Sequence, residues 1–319
     1  MDRRFQRETQ VSDAVFFPGL VPTGFGPVAR FVTESEYARR RFAEADEVLG
    51  YSLADAYRDA SIHDWEVFQS AFLALTLALA DWAECHEGMS PAVCGGQSFG
   101  GIVSAVYCGS LSYADALRLV RASSQVEQDY FESLAEPVGC YFFTNIPREK
   151  VIRLVDEFRD AGEWIEISVE MDSDIFAVSA QMRTIEKFKA RTRELGGFSF
   201  YTMNRAEHCA GVADLRERLY REVYSRFTWR SPRVPILSDV DGRLIDDPES
   251  IMQDLLDGWV YPVRWSTMIE GLRRAGTTRV YVIGPRTIFS RATRDVFPTL
   301  AITPKHALAA GVGSATGAD

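Results

Sequence analysis

The chain is poor in the residues that most often carry chemistry: among 319 positions it has four histidines and five cysteines. The cysteines (85, 94, 108, 140 and 209) are odd in number and scattered, with no C-x-x-C pair. That pattern argues against a disulfide framework and against a zinc site, and predicts reduced, mostly buried thiols with no bound metal. No apolar run approaches the roughly 20 residues that span a bilayer, so no membrane segment is expected. The longest run, 71–80, fits a buried helix. The N-terminal Met1-Asp-Arg-Arg-Phe-Gln-Arg-Glu8 leads into polar residues 9–13 rather than the apolar core of a secretory leader, so a cytoplasmic protein is expected. Basic residues are outnumbered, 35 against 45 acidic, for a net charge of -10, which disfavours nucleic acid as a partner. No GxxxxGK[ST] phosphate loop and no internal repeat is present.

What the chain does have is a G-x-S-x-G pattern. Cys94-Gly-Gly-Gln-Ser98-Phe-Gly-Gly101 follows a proline-containing loop and precedes the apolar run 102–108. A serine so placed can sit on a sharp strand-to-helix turn, where flanking glycines remove the Cβ atoms that would clash and leave the hydroxyl exposed. A nucleophilic serine also needs a base and an oxyanion site. With only four histidines, at 63, 86, 208 and 306, the search for a base is short. His63 and His86 lie beside acidic residues at expected helix ends. His208 lies on the polar loop 204–211 between a strand and a helix, where scaffold on both sides can hold it, and a neutral imidazole there can take the serine proton.

Apolar content of 46% over this length supports a large core in one large domain or two unequal ones. Periodicity predicts a buried strand at 14–17, helices at 35–49, 52–59 and 65–85, the strand–Ser98–helix unit, and a helix over 112–134. Character changes near Glu136-Pro137. A strand (139–145), a helix (148–161), two strands (164–170, 175–180), a helix (182–195) and a strand (198–203) then give β-α-β-β-α-β, the ferredoxin-like order. The expected organisation is therefore an α/β protein whose large subdomain, 1–135 and 205–319, carries an inserted ferredoxin-like small subdomain at 136–204. Beyond the insert, a helix is expected over 212–227, a strand over 234–238, helices over 250–258 and 265–275, a strand over 278–283, and fraying from 309.

Taken in order, these residues resemble the acyl-carrier-protein acyltransferase family, typified by malonyl-CoA:carrier-protein transacylases, over about 14–300. Phe17-Pro18-Gly19 resembles that family's F-P-G-Q-G-S-Q and Gly96-Gln-Ser98-Phe-Gly100 its G-H-S-L-G. Phe68-Gln69 stands where the family has T-Q, Asp115-Ala-Leu-Arg-Leu-Val120 resembles D-A-x-x-L-V, and Glu207-His208-Cys209 its S-H-x loop. Tyr261-Pro-Val-Arg-Trp265 resembles P-V-R-W, and Val282-Ile-Gly-Pro285 resembles E-V-G-P-G. The resemblance implies an α/β-hydrolase-like large subdomain and a ping-pong mechanism. Ser98 attacks an acyl thioester on phosphopantetheine, His208 takes its proton, and a second thiol receives the acyl group. It also implies an oxyanion hole from the Leu20 and Phe99 amides, and a main-chain carbonyl near Gly258 that orients His208. No bound cofactor is implied; the partners are donor and acceptor acyl carrier proteins.

The departures from that family bear on the cargo. The arginine that grips a malonyl carboxylate falls at Ser123, which cannot form the bidentate charged pair. Arg121 lies on another helical face. The signature ending at the histidine is Arg205-Ala-Glu207-His208, with Ile175 and Gly101 at positions where the family has glutamine and glutamate, the latter change expected to widen the mouth. With Gln69, the residues Ser123, Arg205 and Glu207 are the candidate substrate contacts. Such departures resemble the stand-alone acyltransferases of macrolactam polyketide assembly, which move an aminoacyl or dipeptidyl group between carrier proteins. Glu207 is then expected to face the amine. Alternatives are malonyl transfer, a stand-alone acyl hydrolase, and a noncatalytic module, which would require Ser98 and His208 to be out of hydrogen-bonding reach. Arg153, with Lys187 in the basic 183–193 segment, is the expected docking rim for acidic carriers.

Overall fold

Two sheets organise the chain in a computed structural model that describes residues 12–20, 23–61, 63–171, 175–286 and 288–313. The strands are β1 (Asp13–Phe17), β2 (Val93–Gly96), β3 (Val138–Thr144), β4 (Ile165–Met171), β5 (Ile175–Gln181), β6 (Phe198–Met203), β7 (Ile236–Leu237), β8 (Leu244–Ile245), β9 (Val263–Arg264), β10 (Arg279–Ile283) and β11 (Thr299–Ile302). The larger sheet runs β11-β10-β1-β2-β7-β8, parallel except for the last pair. Its middle strands read as continuous apolar runs because helices cover both faces: Ala14, Val15, Phe16 and Phe17 are all buried. The helix Trp65–His86 is apolar on nearly every side and is buried through most of its length. Arg41 of the helix Glu36–Leu49 clamps it with a forked pair on Asp81, Nε at 2.8 Å and Nη2 at 2.9 Å. Helix Tyr113–Ser133 is opened by Ser112, whose Oγ accepts from the Asp115 amide at 3.0 Å while donating to the Asp115 carboxylate at 2.7 Å.

The smaller sheet runs β6-β3-β5-β4-β9, so its four antiparallel strands have the ferredoxin-like order. Alternation along β3 divides its faces. Tyr141 and Phe143 pack with Val151, Leu154 and Phe188 of the two helices beneath, Arg148–Asp160 and Met182–Glu194. Cys140 faces the other way, in a cluster with Phe16, Trp265 and Met268 of the larger unit. The fifth strand, β9, comes from outside the insert and pairs parallel with β4 through Val263 and Arg264. Sequence periodicity does not show it, because two residues carry no period. Its Pro-Val-Arg-Trp segment is a stitch between the two sheets, with Trp265 edge-on to Phe16 at 5.0 Å.

Other expectations change in detail. The helix foreseen over 212–227 is Ala213–Glu222 flanked by two short 3-10 turns, broken where Val223 leaves helical geometry. The strand foreseen over 234–238 shrinks to β7. The tail does not fray from 309: β11 leads into the helix Pro304–Gly313, started by Pro304 and by Thr303 Oγ1, which accepts from the His306 amide at 3.2 Å. Residues 314–319 lie outside the described residues. No helix among the described residues is long and apolar enough to cross a membrane.

The turn after β2 lies close against the end of β1. A Cβ on Gly100 would overlap the Phe17 carbonyl oxygen, and one on Gly96 would overlap Gly100. Gly100→Ala is therefore expected to cost about 2–4 kcal/mol of stability, read by chemical denaturation, since backbone rather than a side chain must give way. A change within about 0.5 kcal/mol would show that the strand and elbow are not in contact.

Candidate active site

Ser98 and His208 are built on opposite subdomain borders, yet they meet. Ser98 occupies the turn between β2 and the helix Gly100–Tyr107, with φ +53°; His208 follows β6, with φ +55°. Both lie in the left-handed region that side chains with a Cβ avoid, a strain that persists only where surroundings over-determine it. For His208 the surroundings are specific. Ser179 Oγ on β5 donates to the Glu207 carbonyl at 2.9 Å and accepts the Glu207 amide at 3.1 Å and the Ser168 hydroxyl at 2.7 Å. Next along the loop, the Cys209 amide bonds Trp259 O at 3.1 Å, and the Ala210 and Gly211 amides bond Glu166 at 2.9 and 3.0 Å.

The imidazole is oriented at both nitrogens. Nδ1 donates to the Gly258 carbonyl at 2.5 Å, and this leaves Nε2 to accept from Ser98 Oγ at 2.9 Å. Burial pushes the imidazole below its ordinary value, against the Glu207 carboxylate and the Gly258 bond, which pull it up; the Arg205 charge adds to the lowering. The ring is therefore a neutral base at neutral pH. Among the described residues neither the Leu20 nor the Phe99 amide has a protein acceptor, and Phe99 stands at the N-terminus of the Gly100–Tyr107 helix. Two amides free beside a serine can hold an oxyanion.

Two cavities flank the pair. One, of about 320 Å3, lies against Leu20, Phe142, Ile175, Phe200 and Arg286. The other, of about 80 Å3, runs behind Ser98 to Gln69, Ser123, Glu127, Arg205 and Glu207. All four expected substrate contacts line this second cavity. Gln69 is held by the Ser124 hydroxyl at 3.1 Å. Arg121 is turned away, bonded to Glu66 at 2.9 Å and to Leu49 O at 2.7 Å. Gly101 does not widen the mouth: a Cβ there would stand 2.7 Å from Leu255 Cδ2, so Leu255 already fills the space.

The electrostatic centre of the smaller cavity is a residue that the sequence reading passed over. Arg205 pairs with Glu127 at 2.6 Å, more closely than with Glu207 at 3.5 Å, and its guanidinium lies 3.9 Å from the centroid of the Trp65 ring and 5.6 Å from that of Trp259. Glu127 is buried, and desolvation pushes its carboxyl up against the pull of Arg205. Its position four residues after Ser123 puts both on one helical face, which is the signal that was available. Ser123 Oγ is buried there with no hydrogen-bond partner, and Arg205 Nε has only its 3.5 Å ion-pair contact with Glu207. The Arg205 end of the cavity thus holds two carboxyl groups, one guanidinium and the unsatisfied Ser123 hydroxyl, and Asp239 and Asp254 also line the cavity.

On the small subdomain, Arg153 is exposed with no ion-pair partner among the described residues, but Lys187 does not present a free charge. Its Nζ is bound to Glu163 at 2.5 Å. Arg183 and Arg191 are likewise paired, with Glu136 and Glu157, so the basic segment is largely neutralised on its own surface.

Fold and Ser–His pair together make the chain an enzyme of the acyltransferase class. Over nearly its whole length it is similar, more narrowly, to malonyl-CoA–acyl carrier protein transacylases. That of Escherichia coli O157:H7 is 23% identical over 309 residues, 94% of this chain and 98% of its own. The Bacillus subtilis strain 168 enzyme is 23% identical over 290 residues, covering 89% and 90%. Among solved structures, the acyl-carrier-protein S-malonyltransferase of Burkholderia pseudomallei 1710b superposes with a TM-score of 0.81 at 20% identity, covering 94% of this chain and 99% of that one. A malonyl-transacylase solved in complex with its type II polyketide synthase acyl-carrier protein superposes at 0.80 and 21%, covering 95% and 99%. Residues 142–203 match the VinK acyltransferase small domain.

The Ser179 bracket is what ties the base to the small sheet. Ser179→Ala is expected to slow acylation of Ser98 about 10- to 100-fold by letting the imidazole drift, with a smaller change in KM for a soluble thioester. An unaltered rate would show that the Trp259 and Gly258 bonds suffice.

Proposed function

We propose that the chain transfers an acyl group bearing an amine, aminoacyl or dipeptidyl, between acyl carrier proteins through an ester on Ser98. The carrying observation is the excess of carboxyl groups in the acyl cavity: Glu127 and Glu207 share the single guanidinium of Arg205, and Asp239 and Asp254 line the same cavity. A malonyl group would bring a further carboxylate to one cation in a buried site, whereas an ammonium would offset the excess of carboxyls. An amide in the cargo also offers a partner for Ser123 Oγ, which has no hydrogen bond in the protein.

In the first half-reaction, Ser98 Oγ attacks the thioester carbonyl while its proton passes to His208 Nε2, and the developing oxyanion lies against the Leu20 and Phe99 amides. The C–S bond then breaks, and the imidazolium returns its proton to the departing phosphopantetheine thiol. The second half repeats these steps in reverse with the acceptor thiol, so no bound cofactor is needed. The 320 Å3 cavity, which reaches the serine from the side of Leu20 and Arg286, is the space offered to the pantetheine arm.

Malonyl transfer is the second reading, favoured by the likeness of the whole chain to malonyl transacylases. Intact-mass analysis of the Ser98 adduct decides: with aminoacyl and malonyl carrier thioesters offered together, the aminoacyl adduct is expected to dominate. A predominantly malonyl adduct would replace this proposal with the second reading. Passage of the label to an acceptor carrier is expected; its appearance as free acid would make the protein an acyl hydrolase.

The unpaired charge of Arg153 supports it as a docking contact for an acidic carrier protein, and Lys187 contributes only if its pair with Glu163 opens. Arg153→Glu is expected to slow transfer from a carrier-bound donor about tenfold while a small soluble thioester reacts as before. Equal loss with both donors would remove Arg153 from the interface.

A further inference from the structure

Behind the nucleophile lies a carboxyl that neither half-reaction consumes. Asp239, in the hairpin between β7 and β8, is 9% exposed and accepts the Ser98 amide hydrogen on Oδ2 at 2.7 Å. Its Oδ1 is buried with no hydrogen-bond partner, and the residue lines the acyl cavity. The titratable and charged groups around it come from four directions. The elbow brings the Ser98 hydroxyl, the His208 loop brings the imidazole, and the helix Pro248–Asp257 brings Asp254. Its own hairpin brings Asp241 and Arg243, which pair with each other at 3.3 Å. Ser238 Oγ ties that hairpin to Asp254 at 2.5 Å and accepts the Val240 and Asp241 amides at 3.1 Å each. Among the described residues no cation pairs with Asp239, and the neighbouring cavity wall of Ile236, Leu237, Ile245 and Leu255 is apolar.

We propose that Asp239 is the positioning residue of the nucleophile and also its switch: the uncharged carboxyl supports attack by Ser98, and the charged one opposes it. The positioning half follows from the bond to the amide of a residue held at φ +53°. The switching half follows from where charge develops. Attack turns the Ser98 hydroxyl into an alkoxide-like oxygen and the thioester oxygen into an oxyanion, and a fixed negative charge beside the Ser98 amide raises the energy of both. An uncharged carboxyl still accepts the Ser98 amide through one oxygen and carries no such penalty.

Burial and the Asp254 carboxylate push Asp239 up to about 7, against the Ser98 amide, which pulls it down; Asp254 itself is pushed up to about 6 by burial. Both carboxyls therefore lie well above the ordinary carboxylate range, and the Asp254 charge bears on Asp239. With His208 held below its ordinary value, the base is neutral on the acid side while Asp239 still keeps its proton. The active form has both groups uncharged, so activity rises through the imidazole and falls through Asp239.

The inference rests on Ser98 being the acylated residue, and the test separates the two. Single-turnover acylation by a soluble aminoacyl-pantetheine thioester is followed by intact mass from pH 5.5 to 8.5, with Ser98→Ala as background. The wild-type rate is expected to fall up to about tenfold per pH unit above the Asp239 midpoint. Asp239→Asn, whose amide oxygen can still take the Ser98 N–H, should keep the acid limb and lose the alkaline fall. Asp254→Asn should move the alkaline limb to lower pH, because Asp239 then ionises more readily; this variant carries the test if the first does not fold. An alkaline limb unchanged in either folded variant overturns the switch alone. Failure of the wild type to acylate at any pH with either an aminoacyl- or a malonyl-pantetheine thioester overturns the nucleophile assignment and the switch with it; acylation by the malonyl thioester alone overturns the cargo reading, and the same pH profiles are then taken with that donor.

Discussion

The molecule is arranged around one hydrogen bond, Ser98 Oγ to His208 Nε2 at 2.9 Å, between residues 110 positions apart. Neither partner reaches it with an ordinary backbone: both need positive φ, and neither is glycine. Left-handed geometry at a residue with a Cβ costs of order 1–3 kcal/mol, so the fold must supply that twice over within one contact. It does so by different means. The serine is set by close backbone approach, with Gly96 and Gly100 letting the elbow lie on the end of β1, and by Asp239 holding its amide. The histidine is set by a ring of polar bonds, from Ser179, Trp259, Glu166 and Gly258.

That second device gives the inserted subdomain a structural purpose beyond forming one wall of a cleft. Ser179 and Glu166 belong to the central strands of the small sheet, and they fasten the histidine loop just as it returns to the large unit. β9 closes the same junction from the other side, pairing with β4 a few residues after Gly258 presents its carbonyl to the imidazole. A shift of the small sheet would therefore reach the base before it reached the serine, which is anchored wholly in the large unit.

What the sequence reveals of this arrangement follows the range of each signal. The elbow is legible because its glycines are demanded within five residues, and the β-α-β-β-α-β order because its strands and helices are long enough to show a period. β8 and β9, at two residues each, have none. The helix break at Val223 and the closing helix from Pro304 are settled by packing and by a cap, and an Ala- and Gly-rich composition pointed the other way. His208 is singled out by its loop, but its orientation depends on Gly258, fifty positions on. Glu127 is hidden for the same reason: its partner Arg205 is 78 residues away, and only the fold makes one ion pair of a helix face and a loop.

The four residues 205–208 couple cargo to chemistry. Glu207 lies 4.0 Å from His208 Nε2 and 3.5 Å from Arg205, so it stands between the imidazole and the guanidinium end of the acyl cavity. Arg205 opposes the imidazolium formed during attack but is drawn away from it by Glu127, its nearer partner at 2.6 Å. Serine at 123 leaves room and hydrogen-bonding capacity where a larger cation would have made a third term in this balance. The cavity thus keeps its guanidinium occupied by two carboxyl groups of the chain itself. Glu207 is shared between that arrangement and the base, so one carboxyl bears on both the cavity and the field at His208.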